Sequence, residues 1–217
     1  MCIRAKLCSI LRDFWRQGQD AQAGDILIII MGISGAGKSS FINAFGIAEG
    51  GPAKVGHTLQ PSTSEIQMHA IHLSNELASE YKGALDSRQV VLFDTPGFDT
   101  GAGDSKDLTQ ITKWVAKQYT RGVTLGGIVY MCDISMNRVN GAAQVNVRQL
   151  EKIVLVTAVW DEVRADVGTQ REEELFSSFW KDLIARGAAV KRTRGLHDSD
   201  PSGHVEVLRH ILQSLGT

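Results

Sequence analysis

The chain carries 217 residues, 43% of them apolar and 22% charged, with a formal net charge of −1. At about 100–200 residues per domain there is room for one full core and not two. The balanced composition excludes a disordered or fibrous chain, and it excludes a global field that would steer the molecule to nucleic acid or anionic lipid.

Residues 1–24 read as an N-terminal helical extension, because Ile3, Leu7, Ile10, Leu11 and Phe14 fall on one stripe. Arg4, Lys6, Arg12, Asp13 and Arg16 interrupt the apolar run that a secretory signal requires. The stripe either packs on the domain or faces a partner or a membrane surface. Cys2 and Cys8 are placed where acyl groups could be added. With Cys132 they are too few and too scattered for a disulfide framework or a zinc site, which favours a reducing, cytoplasmic setting.

Residues 25–217 form the domain proper. Short apolar runs at Ile26 to Met31, Gln89 to Asp94, Ile128 to Cys132 and Ile153 to Thr157 read as strands covered on both faces. Ile66 to Leu73 alternates apolar and polar residues in part and reads as a half-exposed or edge strand. Helices are expected over Gly37 to Phe45, Asp107 to Tyr119, Glu172 to Arg186 and Val205 to Leu215, the last starting after Pro201 and Ser202. Glu172, Glu173 and Glu174 read as the solvated first turn of their helix. Such alternation predicts a three-layer α/β fold with a mainly parallel sheet, and ligands at the carboxyl ends of its strands.

Directly after the first strand stands Gly32-Ile33-Ser34-Gly35-Ala36-Gly37-Lys38-Ser39, which fits G-x-x-x-x-G-K-[ST] at every fixed position. A phosphate chain needs backbone N–H groups aimed inward from a loop that side chains do not obstruct, and the glycines permit that approach. The following helix adds its dipole. Lys38 is expected to bridge the outer phosphates as a point charge, Ser39 to coordinate Mg²⁺, and Ser40 to reach the inner phosphate. Gly32, Ser34, Gly35, Ala36, Gly37, Lys38, Ser39 and Ser40 are thus the candidate phosphate contacts. The third main strand ends Asp94-Thr95-Pro96-Gly97-Phe98. Asp94 can hold a Mg²⁺-bound water, and Gly97 can offer its N–H to the terminal phosphate.

These two motifs resemble the P-loop GTPase superfamily. Asp94-Thr95-Pro96-Gly97-Phe98 is similar to the branch holding septins, the immune-associated nucleotide-binding GTPases and the chloroplast-import receptor GTPases. The stretch from Val55 to Ile66 is similar to small stand-alone fungal G-domain proteins. The resemblance covers roughly residues 25 to 215 and implies a P-loop G domain with GTP or GDP and Mg²⁺ as ligands. It further implies a threonine that closes over Mg²⁺ and the terminal phosphate, with Thr63 the first choice and Thr58 the fallback. The loop from Asp99 to Ser105 resembles the second switch segment.

For the base, Thr157-Ala158-Val159-Trp160-Asp161 matches the family pattern at Asp161 and departs from it at Ala158 and Val159. A carboxylate accepts from guanine's N1–H and exocyclic amine, whereas adenine would leave a charge unpaired. Polar mismatches of that kind cost about 10⁴-fold or more. Val159 could lie against the base, Trp160 reads as core, and Thr193-Arg194-Gly195 is the candidate for the last base-contacting loop. Phe98 stands where small regulatory GTPases keep a water-orienting glutamine, so intrinsic turnover should be slow unless a partner or second copy supplies a group. Arg138 and Arg121 are candidates for a homodimer contact across the nucleotide face. The competing readings are a guanine-nucleotide module that does not hydrolyse and an ATP-dependent kinase. The six histidines, at 57, 69, 72, 197, 204 and 210, have no metal-ligand spacing.

Overall fold

The computed structural model describes residues 21–53, 67–95, 97, 122–136, 152–193 and 201–215. The expected helix over Asp107 to Tyr119 and the threonines Thr58 and Thr63 lie outside them, as do Arg121, Arg138, Arg194, Gly195 and the loop from Phe98 to Ser105.

Among the described residues seven strands form one sheet in the order β2-β3-β4-β1-β5-β6-β7. They are β1 (Ile26–Gly32), β2 (Gly46–Glu49), β3 (Gln67–His72), β4 (Val90–Asp94), β5 (Thr124–Asp133), β6 (Ile153–Ala158) and β7 (Ala189–Arg192). All neighbours run parallel except β2 with β3 and β3 with β4. The expected α/β class with its mainly parallel sheet is therefore observed.

Every residue of β1 is buried, because both faces of the sheet are covered. On one face Ile26, Ile28 and Ile30 pack with Phe41 and Ile42 of α1 (Lys38–Asn43). Leu77 of α2 (Asn75–Glu80), Leu85 of α3 (Lys82–Leu85) and Leu208 and Leu212 of α6 (Ser202–Gln213) complete this layer. On the other face Leu27, Ile29 and Met31 meet Leu175, which opens a π-helical turn (Leu175–Phe179) after α4 (Ala165–Glu174), and Trp180, which joins that turn to α5 (Lys181–Ala185). Ala21 joins this second core, whereas Gln22 and Ala23 are exposed.

Three expectations are corrected. Of the two alternatives for the second main strand, the edge position is corrected, because β2, four residues long and half-exposed, pairs outside β3, while β3 itself is half-exposed, with Gln67 and Met68 partly buried and His72 exposed. The strand expected from Ile128 begins at Thr124, because Gly126 and Gly127 are sites of close approach rather than breakers. A Cβ at Gly126 would stand 2.8 Å from Ile26 Cγ2, and the β1–β5 register shifts there. The helix expected from Glu172 begins at Ala165, which puts Glu172 near its end, and Glu172 is buried rather than solvated.

Candidate functional site

Parallel pairing brings the carboxyl ends of β1, β4, β6 and β7 to one edge, and the motif residues gather there. Between β1 and α1 the chain takes positive φ at Gly32 (148°), Gly35 (82°) and Gly37 (83°), conformations that L side chains resist. Lys38 is buried, and its Nζ donates to the carbonyls of Gly32 at 3.1 Å and Ile33 at 2.8 Å. The ammonium is thereby held over the loop that precedes it. Ala36 packs its methyl into the core, and its N–H donates to Ile33 O at 3.3 Å. Ser40 lies half-buried in the first turn of α1.

Fifty-five residues after Ser39, the carboxylate of Asp94 arrives beside α1. The Ser39 hydroxyl donates to Asp94 Oδ2 at 3.2 Å, and Asp94 is fully buried. Thr95, also fully buried, donates its hydroxyl to Ile30 O at 2.9 Å and fastens the turn to β1. The turn then brings Gly97 against the phosphate loop, where a Cβ would fall inside the van der Waals shells of Ser34 N, Cα and Oγ. Lys38, Ser39, Ser34, Asp94 and Gly97 thus meet in one place. A hydroxyl and a carboxylate are hard oxygen donors, and two of them are too few for a protein cage. That donor set fits Mg²⁺ shared with water and substrate phosphates.

Asp161 lies exposed in a 3-10 turn (Trp160–Glu162) at the carboxyl end of β6. Val159 before it has φ 64° and ψ 39° and is buried with the core, so it offers no face to a base and that expectation is corrected. A β-branched residue in this region is strained, and its surroundings must enforce it. Trp160 is a packed residue, as expected: its indole N–H is shared between Thr157 O and Oγ1, each at 3.2 Å. Thr193 is buried, and its N–H donates to Thr157 O at 3.0 Å.

Several residues around the site carried no readable signal. Asn43 of α1 clamps Ala53 through both its N–H and its carbonyl, each at 2.8 Å, and His69 Nδ1 lies 2.8 Å from Gly51 O. These bonds fix the chain just before the segment that holds Thr58 and Thr63. Glu172 accepts from Thr157 Oγ1 at 2.8 Å and from Arg192, whose guanidinium lies 4.4 Å over the Trp160 ring. Its hydrogen bonds to Glu172 raise the Arg192 pKa above the ordinary value. Cys132 is buried, and that burial, with Asp133 second, pushes its thiol up to about 12.

A doubly covered, mainly parallel sheet with this loop and strand-end carboxylate defines a P-loop nucleotide-binding domain. The sequence model of the family described as 50S ribosome-binding GTPase matches residues 27–162, and the chain belongs to that family. The expected GTPase superfamily is thereby borne out. Among solved structures, Toc33 from Arabidopsis thaliana in complex with Mg²⁺ and GMPPNP is similar in fold, with a TM-score of 0.54 at 14% identity, covering 98% of this chain and 91% of Toc33. The same protein with GDP and Mg²⁺ gives 0.52 at 15% identity over the same shares. The bacterial selenocysteine-specific elongation factor EF-Sec gives 0.50 at 15% identity over 88% of this chain, which spans only 28% of that factor's length. No curated protein matches the chain in sequence.

Proposed function

We propose that this G domain binds GTP and GDP with Mg²⁺, hydrolyses GTP slowly, and works as a nucleotide-dependent switch or dimer. The convergence of Lys38, Ser39, Asp94 and Gly97 on one loop carries this reading, and the Mg²⁺ complexes of Toc33 with GMPPNP and GDP support it by fold.

When bound, Mg²⁺ would draw negative charge from the phosphate oxygens. Ser39 and Asp94 are the residues that would hold it, with Thr63 joining them when the terminal phosphate is present. Lys38 supplies a fixed positive charge, and the loop glycines admit the phosphate chain to backbone N–H groups. Gly97 offers its N–H to the terminal phosphate, and no side chain of its own separates it from Ser34. Asp161 selects guanine by accepting from its N1–H and amine.

Phe98 has no group to orient a water, so intrinsic turnover is slow, and it also favours the second reading, a module that holds nucleotide without turnover. Single-turnover hydrolysis at rising protein concentration separates the two. A rate that climbs with concentration supports catalysis by a second copy, where a supplied arginine gives about 10³ to 10⁵ in rate. No release of phosphate at any concentration supports the second reading.

A further inference from the structure

One buried carboxylate lies where the turn bearing Asp161 meets the end of β7. Glu172 is 4% exposed and sits near the end of α4, yet its bonds go to two strands. Thr157, at the end of β6, donates its hydroxyl to Oε1, and Arg192, the last residue of β7, donates through Nε to both carboxylate oxygens at 2.9 and 3.0 Å and through its terminal nitrogen to Oε2. The two strands are paired at these positions, Thr157 opposite Arg192. Above the pair, the Arg192 guanidinium covers the Trp160 ring. The ring is closed off elsewhere by Gly168, where a Cβ would stand 2.7 Å away, and by the indole bonds to Thr157. Trp160 is therefore held by its face, its edge and its N–H, and Asp161 is the next residue in the chain.

We infer that Glu172 is the positioning residue of the guanine site, tying β6 to β7 and, through the stack of Arg192 on Trp160, fixing the turn that presents Asp161 to the base. The inference rests on the guanine reading above. Its physical content is preorganisation: a carboxylate on an exposed single turn reads the edge of a base only if its backbone is fixed, and here the strained Val159 and the locked Trp160 fix it. Arg192 suits the task because a planar guanidinium can grip a carboxylate with its fork while stacking on an indole, which lysine cannot do.

The test compares Kd for GDP and IDP by calorimetry, with Mg²⁺, on wild type, Glu172→Gln and Arg192→Met, and Kd for ADP on wild type. IDP keeps the phosphates, the ribose and N1–H but lacks the exocyclic amine that Asp161 accepts from. Both variants should lose preference for GDP over IDP by about tenfold, the scale of one charge-assisted hydrogen bond, with Kd for IDP, which keeps the N1–H contact to Asp161, rising by less than Kd for GDP. A loss of thermal stability with the GDP-to-IDP ratio intact would make the cluster a structural element only and overturn the inference. Should Glu172→Gln fail to fold, Arg192→Met reads the same ratio, since the Arg192 side chain is half-exposed. Wild-type protein that binds GDP no better than ADP would overturn the guanine reading itself, whereas wild type that prefers GDP, with variants of unchanged ratio, overturns only the role of Glu172.

Discussion

Lys38→Ala should weaken GDP and GTP binding by about 100-fold or more. A hydrogen bond to a charged group is worth about 1.5–3 kcal/mol, and each 1.4 kcal/mol is a factor of ten, so losing a single ammonium contact to phosphate already costs about one to two decades. The cation is buried and held against the carbonyls of Gly32 and Ile33. Its removal therefore also loosens the loop that positions the N–H groups, and both effects weaken binding. Lys38→Met keeps most of the stem and separates charge from packing. Equilibrium titration with GDP should find both variants weak, and a methionine variant that binds like wild type would remove the ammonium from the account.

Gly32→Ala should produce the largest loss of stability among single substitutions in the loop. Two costs coincide there: φ of 148° is unfavourable for an L side chain, and an added Cβ would drive into the Met131 carbonyl of β5. Backbone strain of this kind costs about 1–3 kcal/mol and overpacking about as much again. The backbone of β5 cannot yield as a flexible side chain would, because β1 and β5 are paired along their length. At about 2–4 °C per kcal/mol for a chain of this size, the midpoint should fall by about 10 °C. Gly35→Ala is the matched control. It also has positive φ, 82°, but nothing lies within 4 Å of its would-be Cβ. Its loss should be about 1 kcal/mol, the strain alone. Equal melting points for the two variants would show that the β1–β5 approach is not tight.

What could be read in advance follows from where the information lies. The phosphate loop was legible because its function constrains backbone and spacing within eight consecutive residues, from Gly32 to Ser39. The central strands β1, β4 and β6 were legible because burial on both faces leaves an almost unbroken apolar run. β2 and β7 are four residues each and mostly half-exposed, so their patterns resemble loops. Helix α4, Ala165–Glu174, has little apolar periodicity and holds Gly168, which is needed for the approach of Trp160 rather than for a turn. Glu172 was misread for a related reason. Three consecutive glutamates look solvated, and the partner that buries the first of them, Arg192, is twenty residues away on another strand. The proposed base site depends on such non-local pairs, whereas the proposed phosphate site is written in two contiguous motifs.

The central claim is that this loop, its lysine and a strand-end carboxylate hold the phosphates of a guanine nucleotide. Calorimetric titration of folded protein with GDP and then ADP, each with Mg²⁺, tests it most directly. Saturable heat is expected for GDP at one site per chain, with far weaker binding of ADP, whose base leaves the Asp161 carboxylate without its donors. No heat with GDP, or ADP bound as tightly, would contradict it.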